Sequence, residues 1–422
     1  MSGPAVHRMS SGLRVVCDPM PGLQTVALSV VAGRGARAED EARSGWSHLL
    51  EHMVFKGAGA RSARDIVEAI ESEGGQINAA TGYERTSFQV RALAHGLDLG
   101  LQVLADLVQH PTLDPDDLRR EKQVVGQEIA EAADTPDDLV FELAQQAAFE
   151  NHPLGRPILG TPASIGTSTP ETLGAWRSAL YAPETLVVSA AGAVDEDELL
   201  RLVERDFGET PVGVTVAGSA PPAFSGGLQP VVKPLEQANL VLLLPTVGAT
   251  HPDYFALRLF AEILGGGMAS RLFQEAREKR GLAYAIDAYA ETYADVGVLG
   301  VFAGCAAGDA AELARVAAGE IRGMTAPVGE AELARAKAQL KGAMFMARES
   351  ALARAEQAAA QLLLFGRPLE PDEIAAEIDA VAPADLARLA ASILEPARAA
   401  VAVLGPKPAM VAAEVLNRAL FD

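Results

Sequence analysis

Residues 45–57 read GWSHLLEHMVFKG, an apolar run that carries His48, Glu51 and His52. The chain has seven histidines in 422 residues, and two of them stand here four apart with a carboxylate between. Gly45 and Gly57 flank the run and no proline interrupts it, so the stretch predicts a helix. In a helix, residues four apart share a face one turn apart, and residue i+3 lies beside them. His48, Glu51 and His52 therefore converge on one patch. Two imidazoles one turn apart can grip a single Zn²⁺, and the neighbouring carboxylate can polarise water held there. Chance would give this HxxEH order in roughly one such chain in a hundred. The bland alternative is two satisfied core histidines beside a surface glutamate, and the trio tells against it.

A catalytic zinc site takes three protein ligands and leaves a fourth position open. Residues 116–134, DDLRREKQVVGQEIAEAAD, predict a helix with Glu121, Val124, Val125 and Glu128 along one stripe. Carboxylates seven apart on an apolar stripe are costly to bury unless a cation meets them. On geometry Glu128 leads only slightly. Glu121 and Glu131 stay open as ligands, and a solvated acidic face is the plain alternative.

The elements that must hold these residues fall into two halves. Residues 209–230, ETPVGVTVAGSAPPAFSGGLQP, concentrate Pro and Gly without a helical period, which is linker composition near the midpoint. Each half has an early strand (25–31 and 238–244), helices, a further strand (86–91 and 296–303) and a closing apolar run, VVSAAG or AAVAVLG. The reading is α+β: two similar domains, 1–210 and 231–422 joined by a linker at 211–230, each a mostly antiparallel sheet packed against helices.

The bulk numbers bound the function. With 49% hydrophobic and 22% charged residues the chain can bury a real core. A net charge of −21 argues against nucleic acid as a partner, and ordinary solubility explains it as well as an acidic interior for basic peptides does. No apolar stretch is long enough to span a bilayer, and MSGPAVHRMSSGLRVV has no secretory h-region. Cys17 and Cys305 form no CxxC and read as small buried hydrophobes, which together with the absent signal implies the cytoplasm. His7, His95, His110, His152 and His251 have no ligand-like spacing and are expected at the surface or in loops.

HLLEHMVFKG, followed by INAATGYERTSF and then a Glu-rich helix, resembles the pitrilysin/insulinase family of zinc metallopeptidases, the HxxEH inverzincins. The processing-peptidase branch is the nearest match, and the likeness runs through nearly the whole chain. Family members carry a second glutamate about 76 residues past the last histidine, and Glu128 matches it. By this resemblance His48, His52 and Glu128 hold one zinc per chain, Glu51 is the general base, and Glu121 supports the ligands from behind. GGGMASRLFQEAREKRGLAYAI (265–286) is similar to the family's C-terminal-half motif, in which an Arg and a Tyr reach the catalytic site; Arg277 and Tyr284 match them. Without the family match, a surface Arg and a core Tyr would be the better reading. No GxxxxGK[ST] follows the three glycines, so a phosphate loop is rejected. Asn78 and Ala79 match an edge where an extended substrate adds as a strand.

The resemblance implies a zinc endopeptidase that cuts unfolded peptides or presequence-like segments in a chamber formed by a dimer. A homodimer is favoured, and a heterodimer with a related subunit stays open. Two rivals remain: a non-catalytic assembly or core-type subunit of the same fold, and a zinc hydrolase for non-peptide substrates.

Overall fold

A computed structural model describes residues 3–208 and 219–422, so positions 211–218 of the expected linker lie outside the described residues. The chain forms two compact units. The first comprises Met1–Ala130, Pro157–Ser219 and Phe345–Glu370; the second comprises Glu131–Arg156, Ala220–Met344 and Pro371–Asp422. Six helices carry the site or cover the sheets: α1 (Trp46–Val54), α2 (Leu97–Gln109), α3 (Pro115–Asp134), α4 (Pro136–Ala148), α5 (Tyr254–Gly265) and α6 (Ala351–Phe365).

The first unit is built on six strands: β1 (Ala5–Arg8), β2 (Arg14–Pro19), β3 (Thr25–Ala32), β4 (Gln76–Thr81), β5 (Thr86–Leu93) and β6 (Leu186–Gly192). They lie in the order β1-β2-β6-β3-β5-β4, and only the β2–β6 pair is parallel. Strands β3 and β6 are buried on both faces because both faces are covered. On one face Leu28, Val30, Phe88, Val90 and Val188 join the main core with Leu49, Leu50 and Met53 of α1 and Leu101 and Leu104 of α2. On the other, Val16, Val31 and Val187 pack against Ala358, Ala359 and Leu362 of α6. Polar residues share this back face. Arg354 of α6 donates through Nε to Asp18 at 2.6 Å and through its terminal nitrogen to the other oxygen of the same buried carboxylate. Gln89 donates to Glu356. Ser29 and Ser189 stand opposite each other in register, each with a buried hydroxyl that meets no hydrogen-bond partner.

The second unit has five strands: β7 (Gly227–Val232), β8 (Gln237–Thr246), β9 (Ala283–Thr292), β10 (Gly297–Ala306) and β11 (Ala400–Gly405). Their order is β7-β11-β8-β10-β9, again with a single parallel pair, β7–β11. Without β1, the first sheet reads β2-β6-β3-β5-β4. The two orders are one connectivity used twice, which is the two-domain α+β architecture expected. Here α4 covers the back of the sheet: Phe141 stacks on Phe302 with ring centroids 5.4 Å apart and meets Tyr289 at 5.9 Å. Phe302 stands opposite Val241 in register.

The compact units cut across the division at the midpoint. Residues 131–156, before the linker, pack with the second unit, and residues 345–370 pack with the first. The physical reason is burial: a sheet with two apolar faces needs cover on both, and each sheet takes one cover from the other half of the sequence.

Cys17 and Cys305 are buried and free, and burial pushes their thiols up to about 12 and about 11. Among the described residues no helix is long and apolar enough to cross a membrane. Of the five other histidines, His7 lies half-buried in β1 instead of in a loop, and His152 lies in a loop as expected but not at the surface. His152 is buried, accepting at Nδ1 from the Leu154 N–H at 3.1 Å, with Nε2 3.0 Å from the Ala220 carbonyl oxygen.

Candidate metal centre

Gly45 is the N-cap of helix α1; its φ of 87° lies in the left-handed region, and a Cβ there would stand 2.5 Å from the Leu159 carbonyl oxygen. The helix has no capping side chain of its own at that position. Instead the buried carboxylate of Glu39 accepts from the Gly45 N–H at 2.8 Å and the Ser47 N–H at 2.7 Å, so an anion sits on the positive end of the helix. Leu49, Leu50, Met53 and Val54 are fully buried and fix the rotation of α1. That rotation turns His48, Glu51 and His52 to the opposite side, where α3 passes. Leu118 and Val125 anchor α3, and Glu121 and Glu128 lie along it.

The Nε2 atoms of His48 and His52 lie 3.9 and 3.6 Å from Oε2 of Glu128. One donor atom from each of the three residues fits within 4.8 Å of the others. Donors about 2.0–2.2 Å from a tetrahedral zinc stand roughly 3.3–3.6 Å from one another, close to the spacing found. Glu128 Oε2 is buried and has no hydrogen-bond donor. A carboxylate oxygen out of water, faced only by two imidazole nitrogens, is where a cation belongs. Burial, and then the His52 ring, push the His48 imidazole down to about 4, so it stays in the neutral form that ligates.

The other two carboxylates left open by the sequence are accounted for. Glu131 is exposed. Glu121 is buried with both oxygens engaged: Oε2 lies 3.1 Å from His52 Nδ1, and Oε1 lies 2.8 Å from Lys56 Nζ. Glu51 stands beside the donor cluster, and the Thr81 hydroxyl donates to its Oε2 at 2.5 Å. Burial raises the Glu51 carboxyl, and the Thr81 hydroxyl works against that shift.

Thr81 ends β4, an edge strand paired only with β5 among the described residues. On that strand Asn78 is exposed opposite Gln89, and Ala79 is half-buried opposite Phe88. Arg277 and Tyr284 belong to the second unit. Arg277 lies in a π-helical turn, Phe273–Lys279, with its guanidinium 4.8 Å from the Phe273 ring centre. Tyr284 sits at a register shift where β9 begins, 48% exposed, its ring over Gly304 of β10. Such bulges and π-turns are common where a side chain must be re-aimed.

Sequence reasoning missed Glu39, Lys56 and Thr81. Only Lys56 had a signal, since His48, His52 and Lys56 recur every four residues. Glu39 and Thr81 reach α1 from outside it, and no spacing announces them.

Fold and site together define a class: two sheet units of one connectivity, with His48, His52 and Glu128 clustered from two helices where they could hold a metal ion. Residues 14–162 match the family described as insulinase (peptidase family M16), and residues 167–340 match the peptidase M16 inactive domain. A protein of Rickettsia bellii described as an uncharacterized zinc protease is 36% identical over 402 residues, covering 95% of this chain and 97% of that one. The chain belongs to the insulinase family of peptidases, M16, and its metal is zinc. In fold it is similar to a protease from Helicobacter pylori (TM-score 0.87, 21% identity, 96% of this chain and 99% of that chain covered). It is likewise similar to a chain of Complex III2 from Candida albicans (TM-score 0.86, 19% identity, 100% of both covered).

Proposed function

We propose that the protein is a zinc-dependent endopeptidase for unfolded peptides, with His48, His52 and Glu128 as the zinc ligands. The observation that carries this reading is the donorless, buried Oε2 of Glu128 with both imidazole Nε2 atoms turned toward it. Zinc held there supplies Lewis acidity, acidifying water and polarising a peptide carbonyl. Glu51 takes the proton from the attacking water and hands it to the leaving amide nitrogen, which balances the hydrolysis. Thr81 holds the Glu51 carboxylate in place for that transfer. The substrate adds as an extended strand along the free edge of β4 beside Asn78 and Ala79, so affinity comes mainly from main-chain hydrogen bonds and depends little on sequence. Arg277 and Tyr284 donate to the substrate carbonyl and to the oxyanion as it forms, roles supported by their match to the family motif. The working form is a cytoplasmic dimer enclosing a chamber for unfolded or presequence-like segments, with a second copy of the chain as partner and a related subunit as the alternative.

A second reading, a non-catalytic assembly subunit, is favoured by the fold likeness to a chain of Complex III2. Metal content and cleavage of a fluorogenic unstructured-peptide library, measured for wild type and Glu51→Gln, separate the two. The endopeptidase reading expects about one zinc per chain in both proteins. It also expects cleavage by wild type only, with a loss of about 10²–10⁴-fold in the variant and abolition by chelator. Zinc in both with cleavage by neither would favour the assembly subunit. A wild type without zinc would end the metal reading.

A further inference from the structure

Helices α1 and α3 face each other with matched stripes. On one side His48, His52 and Lys56 recur every four residues; on the other Glu121 and Glu128 stand seven apart. α1 ends at Val54, but the N–H groups of Phe55 and Lys56 bond back to the carbonyls of His52 at 3.2 Å and Met53 at 3.1 Å. That tighter last turn keeps Lys56 on the histidine face.

Lys56 Nζ reaches Oε1 of Glu121 at 2.8 Å, while Oε2 of the same carboxylate meets His52 Nδ1 at 3.1 Å. The Glu121 side chain is 7% exposed and that of Lys56 34%. A carboxylate held at one oxygen can pivot about its Cγ–Cδ bond; held at both, it cannot. An acceptor fixed on Nδ1 keeps the ring proton there and leaves the Nε2 lone pair toward Glu128. The ammonium also offsets a buried anion that would otherwise be costly.

We infer that Lys56 is a positioning residue of the metal centre: by clamping the far oxygen of Glu121, it locks the carboxylate that fixes the His52 ring and its proton. The inference rests on the zinc reading above, and Lys56 itself touches neither zinc nor substrate.

The test uses Lys56→Met and Lys56→Arg in the full chain, with two readouts. In metal-free protein, ¹⁵N NMR of the His52 ring reports the tautomer: Nδ1–H in wild type and in Lys56→Arg, a mixture in Lys56→Met. Competition with a chromophoric chelator reports zinc affinity: about 10–100-fold weaker in Lys56→Met, within about threefold of wild type in Lys56→Arg, whose guanidinium still pairs with a carboxylate. Should Lys56→Met fail to fold, Lys56→Ala carries the same comparison, since it too removes the donor and leaves room for water beside the carboxylate. A neutral variant whose His52 keeps the wild-type tautomer, or whose zinc affinity stays within twofold of wild type, overturns the inference. If wild type itself holds no zinc, the metal reading fails, while the tautomer in metal-free protein still decides the role of Lys56.

Discussion

The two units share one strand order but differ at the helix that follows the central strand. In the first unit, α1 after β3 carries His48, Glu51 and His52, and the buried Glu39 carboxylate braces its start. In the second, α5 after β8 reads YFALRLFAEILG and buries Ala256, Leu257, Leu259, Phe260, Ile263 and Leu264. Asp253, at the α5 N-cap, makes no capping bond and pairs instead with Arg388. Among the described residues the only three-ligand cluster is in the first unit. The sheet is thus a scaffold that both units possess, and what sets the first apart is the cluster of potential metal donors carried by its helices.

The strongest way to break this comparison is to unseat the cover of one sheet alone. Arg354→Met leaves Asp18 as a buried, unpaired anion, and the expected cost is about 3–5 kcal/mol. Both tryptophans, Trp46 and Trp176, belong to the first unit, so fluorescence reports that unit while far-UV circular dichroism reports both. In urea the fluorescence midpoint should fall and separate from the dichroism midpoint. Coincident, unshifted curves would mean that α6 contributes little to the first unit.

A smaller effect tests whether the second unit is scaffold only. Tyr284→Phe should lower kcat for peptide cleavage by about 10²-fold, the scale of one lost oxyanion donor, with zinc content unchanged. Full activity in the variant would confine the chemistry to the first unit. The smallest effect concerns the bracing that α5 lacks. Glu39→Gln turns an amide N–H₂ toward a backbone N–H and should cost about 1–2 kcal/mol in thermal unfolding. An unchanged melting temperature would remove Glu39 from the account.

Much of the site could be read from the chain because its geometry is local. His48, Glu51 and His52 lie within two turns of one helix, so sequence spacing is spatial spacing. Glu128 is on another helix, and the stripe that contains it also contains Glu121; only the packing shows that His52 and Lys56 have already taken up Glu121. Strands β3, β5, β6, β8, β10 and β11 were legible from apolar runs, and the repeat from their similar order, but β7 begins at Gly227, inside the stretch read as linker. The destinations of α4 and α6 were not. Both read as ordinary amphipathic helices, and nothing in such a pattern says which sheet a helix will cover.

Those destinations set an order of events as the chain is made. Strand β6 ends at Gly192 and α6 begins at Ala351, so the ribosome adds residues 193–350 before the first sheet receives its second cover. At ~5–20 residues per second that wait is on the order of ten seconds or more. Helix α4 is finished at Ala148, before its sheet starts at Gly227, and the second sheet never waits. The back of the first sheet carries Asp18, Ser29, Gln89 and Ser189 among Val16, Val31 and Val187, and α6 meets it with Ala358, Ala359 and Leu362; the back of the second carries Val241, Tyr289 and Phe302 beside Asp287 and Asn239, and α4 meets it with Phe141. A newborn sheet that must wait for its lid keeps a wettable back.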